Sequence, residues 1–93
     1  MAEVVYVDVD DTLVRWAGSR AIPMPHVIAE VRRLHAAGAE LYCWSAAGRQ
    51  AAIEVLDRLQ ITSLFVAVLP KPTLLIDDRE LGARWLRPGE LGG

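Results

Sequence analysis

The sequence has little cysteine, few aromatic residues and no excess of positive charge. Its 93 residues include one cysteine and 6% aromatic residues, and its formal net charge is -2. A single cysteine excludes an intrachain disulfide, and because Cys43 lies in an apolar run we predict a packed thiol there. The absence of a basic excess excludes the broad positive field that supplies sequence-independent affinity for nucleic acids.

Long hydrophobic runs are also missing. The apolar run that begins at Val4 stops at Asp8, which is too short for a signal peptide or a membrane span. We therefore expect a cytoplasmic protein with no membrane partner. The length predicts one domain over residues 1–93, and an apolar fraction of 53% is enough to build its core.

Apolar patterns typical of strands and of helices alternate along the chain. Such alternation predicts right-handed crossovers and a parallel sheet with helices on both faces, a three-layer α/β sandwich. Residues 11–24 are predicted to form a loop or short irregular hairpin that could act as a flap, and residues 88–93 a frayed tail. The predicted strands are residues 4–9, 39–44, 64–69 and 73–76, and the predicted helices are residues 25–37, 49 to about 60, and 79–86.

Polar side chains occur where the predicted strands end. Ligands bind outside the carboxyl ends of the strands in parallel sheets, so we expect these side chains to lie at one rim. The set comprises Asp8, Asp10, Ser45, Lys71, Asp77 and Asp78.

The residue types at this rim indicate phosphoryl chemistry. Several carboxylates at one edge repel one another, and a divalent cation would offset that repulsion. Mg²⁺ prefers one or two carboxylates, several waters and a substrate phosphate. Lys71 would supply a fixed positive charge, and Ser45 together with the N–H groups of the following small-residue turn would donate hydrogen bonds to phosphate oxygens.

Four motifs in this order resemble those of the haloacid dehalogenase superfamily of aspartate-nucleophile phosphohydrolases. The stretch Asp8-Val9-Asp10-Asp11-Thr12-Leu13 resembles the first motif, Ser45 the second, Lys71 the third, and Asp77-Asp78 the fourth. The resemblance covers residues 4–80. With about a dozen loop residues after the first motif and almost none before the lysine, the chain resembles small members without a cap domain.

The resemblance implies roles for three residues in catalysis. Asp8 would attack phosphorus and form an aspartyl phosphate, and Asp10 would be the general acid and base. Lys71 would stabilise the negative charge. The implied function is a Mg²⁺-dependent phosphomonoester hydrolase.

The resemblance also implies a metal site and a phosphate site. Mg²⁺ would be held by Asp8, by the backbone carbonyl of Asp10 and by Asp77, with Asp78 either a ligand through water or a partner of Lys71. Further residues would bind phosphate or steady the loop; these are Thr12, Ser45 and Ala46. Sugar phosphates, nucleotides or polynucleotide ends, and phosphoproteins are all left open as substrates, and so is a homo-oligomer.

Simpler interpretations stand beside these. Asp77 could be the N-cap of the last helix, and Ser45 could be the N-cap of the second helix. A non-catalytic module that binds phosphate or a protein partner is an alternative function. A receiver domain is a weaker one, because its phosphoacceptor aspartate follows strand three and here strand three ends without an acid.

Overall fold

Three parallel strands and two helices form the body of the domain. The computed structural model describes residues 2–91. It is an α/β domain with a parallel sheet, which confirms the fold class at that level. The strands are β1 (Val4–Asp8), β2 (Val14–Ala17), β3 (Arg20–Pro23), β4 (Glu40–Ser45) and β5 (Ala67–Pro70), and the helices are α1 (Pro25–Ala36) and α2 (Arg49–Leu59).

The register of the sheet aligns the ends of its strands. The order is β1-β4-β5, with Asp8 opposite Trp44 and Ser45 opposite Pro70. The carboxyl ends of the three strands therefore share one edge, as expected for the first three motifs. Within residues 2–91, neither helix is long and apolar enough to cross a membrane.

The core lies on one face of the sheet. Sheet residues such as Leu41 and Cys43 are buried in one cluster with residues of α1 and α2 such as Val31 and Leu56. The strands run in the order β1, β4, β5, and right-handed crossovers in a single direction leave both helices on the same side. The described residues thus form two layers, so the three-layer prediction is wrong for them.

The other face of the sheet is aromatic and half-exposed. Tyr6, Tyr42 and Trp44 alternate with the buried residues, as period-two side chains must. The ring centroids lie 5.1 Å apart for Tyr6 and Tyr42 and 5.0 Å apart for Tyr6 and Trp44. This face has an apolar character without a covering helix in the described part of the chain.

Residues 11–24, predicted as a loop or irregular hairpin, contain a regular antiparallel hairpin of β2 and β3. Trp16 is opposite Ala21 in its register. Gly18 is the first residue of the two-residue loop and has φ 61°, as a type II′ turn requires. Leu13 and Val14, at the base of the hairpin, are fully buried and attach it to the core.

Residues 71–87 form neither the predicted strand 73–76 nor the predicted helix 79–86. Leu74, Leu75 and Ile76 are 76%, 70% and 93% exposed. A crossover between parallel strands needs a dozen or more residues, and only residues 71 and 72 separate β5 from this segment. The helix fails because an eight-residue segment that contains Gly82 has little stability without a surface to pack on.

The tail is docked rather than frayed as far as it is described. Pro88–Glu90 forms a short 3-10 turn, and Leu91 packs against the core. The carbonyl of Pro88 lies 3.1 Å from His26 Nε2, and Arg84 forms an ion pair with Glu3. Residues 92 and 93 lie outside the described residues.

Candidate functional site

A tight turn follows β1 and carries the acidic residues. The carbonyl of Val9 accepts backbone hydrogen bonds from Thr12 (3.2 Å), Leu13 (2.9 Å) and Val14 (3.3 Å). Asp11 has φ 61°, a left-handed conformation that aspartate tolerates better than most residues. The turn places Asp10 and Asp11 on the surface at the carboxyl edge of the sheet.

Asp8 is bound by two predicted site residues. Lys71 Nζ lies 3.0 Å from Asp8 Oδ1, and the Thr12 hydroxyl donates to Asp8 Oδ2 at 2.9 Å. The Lys71 backbone N–H donates to the Ser45 carbonyl at 2.9 Å, which ties the lysine to the end of β4. The structure therefore brings together residues of the first three motifs, although Lys71 is 63 positions from Asp8 and 59 positions from Thr12 in the sequence.

Asp10 has a partner that the sequence did not reveal. The indole N–H of Trp16 donates to Asp10 Oδ1 at 2.7 Å. The two residues are six positions apart, and that spacing does not bring two side chains into contact within a helix or a single strand. Only the turn after Val9 and the start of the hairpin bring them together, so the signal that could have found the pair is the hairpin itself.

Ser45 is buried and is not a helix cap. Its hydroxyl oxygen accepts a hydrogen bond from the Ala47 N–H at 3.1 Å, and the N-cap of α2 is Gly48. The capping interpretation is therefore wrong for Ser45. Ala46, whose amide was predicted to bind phosphate, is exposed at the start of the same turn.

A cavity opens beside Asp10 and Ser45. Its volume is about 330 Å³, and it lies between the hairpin and α2. Trp16 lines the hairpin side, and Glu54 and Arg58 line the helix side. A molecule in this cavity would be next to both Asp10 and Ser45.

Asp77 and Asp78 lie in the exposed segment after Lys71. The Arg79 N–H donates to Asp77 Oδ1 at 3.3 Å, and Asp78 lies 3.7 Å from the Arg79 guanidinium. A hydrogen bond with the Asp78 side chain, followed by bonds from the Arg79 and Asp78 amides, holds the pKa of Asp77 below its usual value. No helix follows, so Asp77 is not a helix N-cap.

The carboxylates of the predicted metal site are only partly assembled. Across residues 2–91, no group of three or more histidine, cysteine or acidic side chains is arranged to hold a metal ion. Asp8 ends β1 and Asp10 lies in the turn that follows, and one or two carboxylates are what Mg²⁺ usually takes from a protein. Asp8 and Asp10 thus supply oxygen donors of the type that Mg²⁺ prefers, while Asp77 and Asp78 are not gathered with them in this conformation.

Cys43 is a packed thiol, as predicted. It is completely buried, and burial, with a smaller contribution from the negative charge of Asp8, raises its pKa to about 12. The neutral thiol is a poor nucleophile, so Cys43 takes no part in the chemistry of the site.

Comparisons with known proteins extend the description of the fold. The structure is similar to the crystal structure of a structural-genomics target from Vibrio cholerae, with a TM-score of 0.66 and 24% sequence identity, over 96% of this chain and 86% of that chain. The likeness concerns the fold alone. No family model and no curated protein matches the chain.

Proposed function

We propose that this chain is a Mg²⁺-dependent phosphomonoester hydrolase with a capless, haloacid-dehalogenase-like fold. The observation that carries the proposal is the constellation around Asp8. A carboxylate at the end of a parallel strand is held by Lys71 at 3.0 Å and by Thr12 at 2.9 Å. Asp10 lies two residues further on, and Ser45 ends the adjacent strand β4.

Asp8 is the proposed nucleophile. One of its oxygens forms a bond to phosphorus while the bond from phosphorus to the leaving oxygen breaks, and the electron pair goes to the leaving oxygen. Lys71 is close enough to move from Asp8 to the phosphoryl oxygens as negative charge develops there. Ser45 and the amide of Ala46 are the proposed hydrogen-bond donors to the same group.

Asp10 is the proposed general acid and base. It gives its proton to the leaving oxygen, and in the second step it takes a proton from the water that attacks the aspartyl phosphate. The bond between phosphorus and Asp8 then breaks, which returns the electron pair to the carboxylate. The cavity beside Asp10 is the proposed position of the leaving group, and Trp16, Glu54 and Arg58 are its walls.

Magnesium is proposed as the cofactor because of the chemistry of its donors. When bound, it neutralises charge on the phosphoryl group and orients that group for attack. Asp8 and the Asp10 carbonyl would hold it directly. Asp77 follows Lys71 by six positions, so the short connection between them is compatible with a conformation in which Asp77 lies at the site. Without a cation, repulsion from Asp8 and Asp10 opposes that conformation.

One observation favours the non-catalytic alternative. Both carboxylate oxygens of Asp8 are engaged, by Lys71 and by Thr12. A module that only binds phosphate or a partner would keep Asp8 in this state, whereas the enzyme must release one oxygen for attack.

Hydrolysis of p-nitrophenyl phosphate distinguishes the two functions. The enzyme would turn over this substrate with Mg²⁺, and the Asp8→Asn variant would be inactive although folded. A panel of phosphorylated metabolites and of oligonucleotides with terminal phosphates then identifies the substrate class. Absence of turnover on every phosphomonoester would favour the binding module.

A further inference from the structure

We infer that Trp16 is a positioning residue for the general acid and base Asp10. The inference rests on the proposed hydrolase activity and adds to it a residue outside the four motifs. Trp16 lies at the third position of β2, and its indole N–H donates to Asp10 Oδ1 at 2.7 Å. It acts on the substrate through Asp10.

The hairpin holds Trp16 in place for this contact. At its base the Met24 N–H donates to the Leu13 carbonyl at 2.9 Å, and the Asp11 N–H donates to the Val14 carbonyl at 2.8 Å. Trp16 itself follows Val14 by two residues and is paired with β3. The indole is thus attached through the hairpin to the turn that carries Asp10.

The indole hydrogen bond restricts an otherwise mobile side chain. Asp10 is exposed, and rotation about its side-chain bonds would move the carboxyl group away from the substrate. An indole N–H only donates, so it selects a carboxyl oxygen as acceptor. With Oδ1 bound to Trp16, Oδ2 carries the proton that is transferred to the leaving group.

The arrangement also couples the acid to the leaving-group cavity. Trp16 lines that cavity together with Asp10, and the residue is 42% exposed. A leaving group in the cavity would contact the ring whose N–H holds the acid. The hydrogen bond and the ring are separable functions of one side chain, which permits a matched pair of variants.

Two aryl phosphates of similar size test the positioning role. Phenyl phosphate has a poor leaving group and needs the acid, whereas p-nitrophenyl phosphate has a good one and needs it little. Trp16→Phe keeps a ring and removes the donor; Trp16→Gln keeps a donor and removes the ring.

For Trp16→Phe we expect kcat/KM on phenyl phosphate to fall about tenfold to a hundredfold, with a change within about threefold on p-nitrophenyl phosphate, since general acid catalysis contributes about 10²–10⁴-fold. Trp16→Gln should retain more activity than Trp16→Phe on phenyl phosphate.

A double-mutant cycle links the effect to Asp10. In an Asp10→Asn background, where the acid is absent, Trp16→Phe should have no further selective effect on phenyl phosphate. Trp85→Phe is the matched control, because Trp85 is 71% exposed in the segment after Asp78. An equal loss on both substrates, or a larger loss for Trp16→Gln than for Trp16→Phe, would overturn the positioning role.

A readout without catalysis separates this inference from the proposed activity. The indole N–H resonance of Trp16 should shift in Asp10→Ala while that of Trp85 is unchanged. A wild-type protein without activity on any phosphomonoester of the panel would refute the hydrolase. If the wild type is active but the indole N–H resonance of Trp16 does not shift in Asp10→Ala, the positioning role alone is refuted.

Discussion

At the scale of single residues, the site depends on an ion pair, Asp8 with Lys71, that is partly exposed to solvent. Asp8 and Lys71 have side chains that are 30% and 36% exposed, so their attraction is screened and contributes little to stability. In the proposed function, their role is to place a carboxylate and a cation within reach of one phosphoryl group. Removing either should affect activity far more than folding.

Lys71→Gln tests that separation. We expect kcat/KM to fall at least about a hundredfold, as for removal of one group that stabilises transition-state charge, while the free energy of unfolding changes by less than about 1 kcal/mol. Steady-state kinetics and urea denaturation measure the two quantities. Arg33→Gln, which breaks the exposed ion pair with Glu30 on α1, is the control and should leave activity unchanged. A large loss of stability in Lys71→Gln would show that the lysine is structural.

The raised pKa of the buried Cys43 thiol leads us to expect a loss of stability at alkaline pH. Its thiol has a pKa of about 12 in the folded chain instead of the ordinary value of 9.0. Between these values the unfolded thiol loses its proton and the folded one keeps it, so the folded state binds more protons and the free energy of unfolding falls as pH rises. The slope is about 1.4 kcal/mol per pH unit.

Urea denaturation of wild type and Cys43→Ala between pH 8 and about pH 11 measures this contribution. The difference in stability between them should shrink as pH rises, because the variant lacks the thiol while all other groups titrate in both. The titration of tyrosines and lysines then cancels in the comparison. A difference that is independent of pH would contradict the raised pKa.

At the scale of elements, the strands and helices that were predicted correctly are those whose apolar residues recur with a regular spacing in the sequence. The three strands of the sheet and both helices were predicted within a few residues, because apolar periodicity reflects the faces that they bury. The segment Leu74 to Ile76 has strand propensity, but its pairing depends on the length of the connection before it. The contact between Trp16 and Asp10 depends on hairpin register, which propensity does not encode.

The segment around Asp77 and Asp78 should respond to metal and phosphate if it completes the site. We expect Mg²⁺ with inorganic phosphate to slow amide hydrogen exchange over residues 73–80, because the cation offsets repulsion among the carboxylates. The double variant Asp77→Asn/Asp78→Asn should lose this protection. Exchange that is the same with and without the two ligands would mean that these aspartates stay outside the site.

At the scale of the whole molecule, the domain has one covered sheet face and one aromatic face. The sequence predicted helices on both faces of the sheet, because helix periodicity does not indicate the face on which each helix packs. The order β1-β4-β5 decides that point, since crossovers in one direction place both helices together. β1 is consequently an edge strand, and the Asp8 side chain at its carboxyl end is 30% exposed.

The central claim is that Asp8, at the end of this edge strand, is the nucleophile and that the substrate reaches it without a cap domain. Acid quenching during turnover of p-nitrophenyl phosphate with Mg²⁺, followed by peptide mass spectrometry, tests it most directly. We predict one phosphoryl group on the peptide that contains Asp8, and none in Asp8→Asn. Turnover that persists in Asp8→Asn, or a phosphoryl group on another residue, would contradict the account.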